Sequence, residues 1–468
     1  MATAKELQKN LTWEFLHIGK VAAEQKEAAY AYCEGYKKFL DIGKTEREFT
    51  AEAIACLKTA GYEEFDPAKI YNPGDKVYYN NRGKSLAMST FGTASLEAGV
   101  RLNVAHIDSP RLDLKPNPVY ENHEVAYFKT HYYGGIRKYQ WVTIPLAMHG
   151  VIVKQNGEVV KVCVGEQPGD PVFCVTDLLP HLGAKQNERK LNEGIKGEEL
   201  NIVIGSLPFV SDDENEAVKD AVKLNTLVLL NEMFGVTEKD FLRAEIEFVP
   251  AQKAVDIGFD RSLIGAYGQD DKVCAYTALT AEIDTKAPYY TTVTVLADKE
   301  EIGSYGNTGL NSDFVLHYLE DLASTEGANV RELLRNTTAL SSDVNGAYDP
   351  TFASVYEERN SCFVNKGPVL TKYTGARGKS GSNDASAETM AKVIAIMDEN
   401  KVYWQIGELG AVDEGGGGTV AMYVAAMDVD VVDLGVPILC MHAPMELSSK
   451  FDVYHTYKAF AAFLGSSK

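Results

Sequence analysis

The sequence predicts an α/β fold: a mostly parallel sheet flanked by helices on both faces, with an inserted β-rich second domain. Beyond residue 255, β-branched apolar runs alternate with helix-like runs, the order that builds a parallel sheet covered on both sides. Between about 110 and 250 that alternation stops, and short strand-like runs take its place. The length, 468 residues with 45% hydrophobic and 24% charged, suffices for two domains with cores of their own. Residues 1–109 and 255–468 are therefore assigned to one discontinuous domain, and 110–254 to an insert.

In chain order, Thr45 and Glu48 have the spacing of a capping box for a helix running through Ala60, with Gly61 at its C-terminal stop. Val77–Tyr79 and Leu86–Ser89 flank Asn80-Asn81-Arg82-Gly83, a hairpin pattern. Leu102–Ala105 is a short apolar strand that ends at His106. Prolines at 110, 116 and 118 then open the insert, where Trp141–Ile144, Gly150–Lys154 and Val159–Val164 read as strands. Asp212–Glu216 is an acidic loop and Asn225–Phe234 a helix. After 255, helices are expected at Val273–Ile283, Val315–Leu322, Asn329–Leu334, Ala385–Glu399 and His455–Gly465. Strands are expected at Tyr289–Ala297, Thr337–Ser341 and Val429–Leu439.

The chain carries 46 basic and 66 acidic residues, a net charge of −20. Such a field disfavours nucleic acid and anionic membranes as partners. Seven cysteines, an odd number without CxxC spacing, argue against a disulfide framework or a thiolate zinc site. The first ten residues hold no apolar signal core, and no stretch is long and apolar enough for a membrane span. These features read as a cytoplasmic protein.

Five segments place a carboxylate or imidazole at or beside an expected strand end: His106-Ile107-Asp108, Asp270-Asp271, Glu300-Glu301, Asp343 and His442. Open α/β sheets bind ligands at the carboxyl ends of their strands, so these residues can converge in one crevice. Imidazole and carboxylate suit divalent metals of the zinc group, with cobalt or manganese also compatible. Two such ions side by side would support hydrolysis. Each residue also has a plainer reading: Asp270 as a helix cap, Glu300-Glu301 as a solvated loop, a histidine as an ordinary polar residue.

Three motifs, Ala105-His106-Ile107-Asp108-Ser109-Pro110, Asp298-Lys299-Glu300-Glu301-Ile302-Gly303-Ser304 and Leu439-Cys440-Met441-His442-Ala443-Pro444-Met445-Glu446, occur in the order and spacing of a known family. By them the chain resembles the aspartyl aminopeptidase and aminopeptidase I family of dinuclear zinc exopeptidases, over nearly its whole length. The resemblance implies that His106 and Asp343 bind one metal, Glu301 and His442 the other, and that Asp270 bridges both. It implies Asp108 as an orienting carboxylate and Glu300 as general base. The activity implied is removal of N-terminal residues from short peptides with a free amine. The assembly implied is a homo-oligomer: dimers formed by the insert, which also shapes the neighbouring site, assembling to a dodecamer.

Three departures from the family pattern stand out. Asp271 follows the bridging position where the family has asparagine. Tyr139 stands where a family histidine would reach into a neighbouring subunit. Lys372 matches a family lysine that meets an acidic substrate side chain, with Arg377 and Lys379 as alternatives, but the loop Gly375–Asn383 is longer than the family's. An acidic (Asp/Glu) preference is thus one expectation, and a neutral, leucine-like or broad preference the other. Gly416 and Gly417, within the run Gly415–Gly418, read either as permitting close backbone approach to a ligand or as a flexible tip, and the resemblance implies that they lie near the substrate. Two other readings stay open: a non-catalytic assembly stapled by metal, and an endo-acting peptidase or deacylase. Arg377-Gly378-Lys379-Ser380 fails as a phosphate loop because Tyr373 occupies the required glycine position.

Overall fold

The computed structural model describes residues 2–13, 18–211 and 218–468. The expected acidic loop Asp212–Glu216 lies outside the described residues. At the centre is a nine-stranded sheet. Strand Arg101–His106 lies between the parallel strands Thr292–Ala297 and Thr338–Ser341, and Thr338–Ser341 pairs in parallel with Asp430–Gly435. The antiparallel partners Ser85–Thr90 and Val369–Thr371 flank this block. The sheet is therefore mostly parallel, with mixed margins.

The period-two alternation of each strand divides its side chains between two helical layers. Leu102, Val104, Val293, Val295, Ala339 and Val431 face helices Phe314–Glu326, Val330–Asn336 and Ala421–Ala425. On the other side, Ala105, Leu296, Leu340, Val432 and Leu434 face helices Ala23–Ile42, Glu46–Thr59, Gln269–Asp284, Ala387–Glu399 and Lys450–Leu464. Helix Glu46–Thr59 begins as its sequence predicts. The Thr45 side chain accepts from the Glu48 amide, and the Glu48 carboxylate accepts from the Thr45 amide.

A second, seven-stranded sheet is antiparallel throughout and uses strands from Arg111–Asn122 to Ala244–Pro250. Trp141–Ile144 is not one of its strands. Trp141 and Val142 are buried as loop anchors, and Thr143 turns the chain with φ 58°, which no strand permits. Charge stitches this sheet to the α/β body. Arg111 bonds Glu46 at 3.3 Å, Lys44 bonds Glu166 at 2.8 Å, and His149 bonds Glu48 at 2.8 Å.

A third, five-stranded sheet has no counterpart in the sequence reading. It arises because the expected single strand Val429–Leu439 breaks into Asp430–Gly435 and Pro437–Leu439. Pro437 has no amide for the central ladder, and Gly435 packs its Cα against the Asp343 carbonyl, where a side chain would collide. The chain thus leaves one sheet for the other just before His442. No helix among the described residues is long and apolar enough to cross a membrane.

Candidate active site

The dispersed segments meet at the carboxyl ends of the central strands. His106 closes strand Arg101–His106, Glu300 and Glu301 follow Thr292–Ala297 after a short turn, and Asp343 follows Thr338–Ser341. Asp270 lies where strand Leu263–Ala266 of the small sheet turns into helix Gln269–Asp284, and its carboxylate faces His106 and His442. His442 sits between Pro437–Leu439 and Glu446–Ser449, at φ 64°.

Ligand atoms of His106, Asp270 and Asp343 all lie within 4.8 Å of one another, and so do those of Asp270, Glu301 and His442. Asp270 belongs to both sets. Its Oδ1 is 3.2 Å from His106 Nε2, and its Oδ2 is 3.1 Å from His442 Nε2. Asp343 Oδ1 is 3.7 Å from His106 Nε2, and Glu301 Oε2 is 3.4 Å from His442 Nε2. One carboxylate thus faces two imidazoles, each with a further carboxylate.

The donor set fits two divalent cations. Both rings have their far nitrogen committed: His106 Nδ1 lies 3.1 Å from the Asp108 carbonyl and His442 Nδ1 2.8 Å from the Gly135 carbonyl. A carbonyl only accepts, so Nδ1 carries a proton in both rings, and Nε2 is the atom left to ligate an ion among the carboxylates. His106 Nε2 and Glu301 Oε1 are buried without a hydrogen-bond partner. That is costly for a polar core and suits atoms directed at an ion. Burial opposes charge on His106, but Asp108, Asp270 and Asp343 outweigh it and push the ring's pKa well up. Burial likewise opposes charge on His442, and Asp270 and Glu301 push it up to about 11. A pocket that holds positive charge so firmly on imidazole has the field that attracts metal.

Asp108 ties the site together. Its Oδ1 is 3.3 Å from His106 Nδ1 and accepts from the Glu300 amide at 3.1 Å. Its Oδ2 accepts from the Glu301 amide at 3.2 Å and from the Tyr133 hydroxyl at 2.7 Å. Tyr133 comes from the second sheet and is held by the Arg111 guanidinium, 3.9 Å above its ring. Sequence reasoning assigned no role to Tyr133; its place beside Gly134-Gly135 was the available signal. It also passed over Glu446, whose buried carboxylate accepts from the Asp270 amide at 3.0 Å and the His442 amide at 2.7 Å. The interval of four residues after His442 was the clue there. Replacing Tyr133 with Phe should lower kcat by about 10-fold or more, within the roughly 10–100-fold range for groups that orient ligands. Steady-state kinetics beside metal analysis checks it, and an unchanged kcat removes Tyr133 from this role.

Glu300 and Glu301 are adjacent on the turn Glu300–Ile302, yet they differ. The Glu301 side chain is 3% exposed, whereas that of Glu300 is 21% exposed and no nearer than 3.9 Å to His106 Nε2. Burial pushes the Glu300 carboxyl up to about 8. Asp271 is fully buried; its Oδ2 accepts from the His106 amide at 3.3 Å, and burial pushes its pKa well up. Tyr139 is 40% exposed, with the Arg137 guanidinium 5.3 Å from its ring.

Of the residues expected to meet substrate, Lys372 Nζ bonds Asp384 at 2.7 Å and the Ala385 carbonyl at 2.8 Å, and Lys379 bonds Asp384 at 3.0 Å. Arg377 lines a hollow with Tyr373, Leu409, Gly415 and Gly416. Gly417 stacks on the same loop, its carbonyl accepting from the Gly375 amide at 2.6 Å.

Residues 39–464 match the family described as "Aminopeptidase I zinc metalloprotease (M18)". A probable M18 family aminopeptidase 1 of Clostridium acetobutylicum is 48% identical over 451 residues, covering 95% of this chain and 96% of the relative. Among solved structures, an M18-family aminopeptidase from Thermotoga maritima superposes with a TM-score of 0.90 at 43% identity, covering 97% of this chain and 99% of that one. Aminopeptidase I from C. acetobutylicum also gives 0.90, at 44% identity, covering 97% and 100%. Taken with the two overlapping ligand sets, these likenesses make the protein a dinuclear metallo-aminopeptidase that acts on peptides. The chain belongs to the aminopeptidase I zinc metalloprotease (M18) family.

Proposed function

We propose that this enzyme removes N-terminal residues from short peptides with a free amine, that Glu300 is its general base, and that its preference for the N-terminal residue is neutral or broad rather than acidic. The two-sided Asp270 carboxylate carries the first part, because it lies 3.2 Å from His106 and 3.1 Å from His442 and so serves both ligand sets. His106 and Asp343 would hold one cation, Glu301 and His442 the other. When bound, the pair supplies a water that ionises near neutral pH and positive charge against a developing oxyanion. Glu300 takes the proton of the attacking water and delivers it to the leaving amine. Asp108 is a positioning residue: it grips the His106 ring and the amides of Glu300 and Glu301 together. Gly134 and Gly135 cross directly over the ligands, and a Cβ on Gly134 would lie 3.2 Å from Glu301 Oε2. Backbone at that distance obstructs a continuous polypeptide on that side and favours a chain end.

Lys372 and Lys379 both spend their charge on Asp384, which supports a neutral or broad preference. An acidic preference would rest on Arg377. Aminoacyl reporters bearing Asp, Glu, Leu and Lys should show leucine cleaved at least as well as Asp and Glu, with N-acetylated peptides uncleaved. Asp and Glu leading the panel would overturn the pocket reading; cleavage of acetylated peptides would overturn the exopeptidase reading.

The insert is proposed to make the oligomer contacts, as dimers built to a dodecamer. Support comes from its exposed apolar side chains, Leu178, Leu179, Leu182, Leu191, Leu207 and Val210, each at least 50% exposed in the single chain. Sedimentation should give a mass several times that of one chain. A monomeric species at micromolar concentration would remove this reading.

A further inference from the structure

A second cluster of metal-binding character lies at the seam between the insert and the α/β body. Ligand atoms of Glu48, His149 and Cys163 lie within 4.8 Å of one another. Three elements bring them there. His149 and Cys163 are direct cross-strand partners on the antiparallel pair Leu146–Val153 and Val159–Val164. Glu48 comes from the first turn of helix Glu46–Thr59 in the body.

The surroundings orient this cluster. Glu48 Oε2 is fixed by the capping box, accepting from the Thr45 amide at 3.1 Å, which leaves Oε1 turned to His149 Nδ1 at 2.8 Å. On the far side of the ring, Nε2 lies 3.2 Å from Glu166 Oε1, and that oxygen is itself held by Lys44 at 2.8 Å. A carboxylate anchored on one imidazole nitrogen, with a second carboxylate on the other and a thiol beside the ring, is an arrangement by which proteins orient a metal-binding histidine. The His149 side chain is 2% exposed, Glu48 is half-buried and Cys163 is at the surface, so the cluster is walled on one side and open to solvent on the other. Ligands about 2.0–2.3 Å from a zinc-class ion in tetrahedral array stand about 3.3–3.8 Å apart, so small side-chain adjustments suffice.

We propose that Glu48, His149 and Cys163 form a third cation site, separate from the catalytic pair, that takes a divalent ion of the zinc class with mixed N, O and S ligands and clips the insert to the body. Binding releases one proton from His149 Nδ1 and one from the Cys163 thiol, so the ion competes with protons. Burial opposes charge on His149, and the neighbouring Cys163, Glu166 and Glu48 outweigh it, pushing the ring up to about 11. The alternative occupant is therefore that proton, with His149 a charged link between two glutamates and no metal.

Cobalt distinguishes the two, because none of the five ligands of the catalytic pair is a thiol. The metal-stripped full-length enzyme is titrated with cobalt(II) while the near-ultraviolet thiolate-to-cobalt charge-transfer band and bound cobalt per chain are followed. The expected result is a third equivalent accompanied by the band, with both lost in Cys163→Ser and peptidase activity kept. Glu48→Gln should weaken the third equivalent by about tenfold or more. Absence of the band, a band that survives Cys163→Ser, or two equivalents per chain in wild type and variant alike would each overturn the proposal.

Discussion

Replacing Glu300 with Gln is expected to cut turnover by at least ~10²-fold while both metals stay bound, the typical weight of a lost general base. The reason is local. Glu300 lies outside both ligand sets, and its contact with Asp108 is made by its backbone amide, which the substitution keeps. Glutamine has the same shape but cannot take a proton. Burial pushes the native carboxyl up to about 8, and cations beside it pull the other way, so the group exchanges protons near neutrality. Glu301→Gln is the contrast: it removes a charged ligand from a side chain 3% exposed, and metal should be lost with activity. Turnover and metal content measured on both variants check this. Full turnover in Glu300→Gln would reassign the base.

The second large effect is on stability. Stripping the metals should abolish activity and also lower the unfolding temperature by several degrees, with both restored on adding zinc. Glu300, Glu301, Asp343, Asp271 and Glu446 are crowded and desolvated, and burial pushes the pKa of each of them up. Without dications they must take up protons or repel. A ligand that binds only the folded chain stabilises it by about 2.7 kcal/mol per site at a hundredfold excess over Kd. Thermal unfolding with and without chelator, on samples whose metal content is measured, provides the check. Identical melting of the loaded and fully stripped protein would contradict the view that the cluster depends on its ions.

Much of this was legible because the signals are local. The Thr45–Glu48 capping box needs only four residues, and it forms. His106 and Asp343 follow apolar runs that had to be buried strands, and the parallel topology then places their ends together. What was not legible depends on distant neighbours. Trp141–Ile144 has strand composition, but its apolar residues anchor a loop. In Val429–Leu439, Pro437 was a visible sign of a break, but nothing there reveals that Gly435 must lie against Asp343. The same holds for Lys372. The resemblance suggested a cation offered to an acidic substrate group, and only the folded loop brings Asp384 to it.

The hydrogen bond from His442 to Gly135 has a wider meaning for how this protein can be altered. The second sheet and the α/β body are not interchangeable, since the segment after strand Val125–Tyr133 supplies the acceptor that orients the His442 ring. Grafting in a foreign second sheet, or trimming the native one, would have to restore that single main-chain acceptor and the Tyr133 phenol before the reaction centre could assemble.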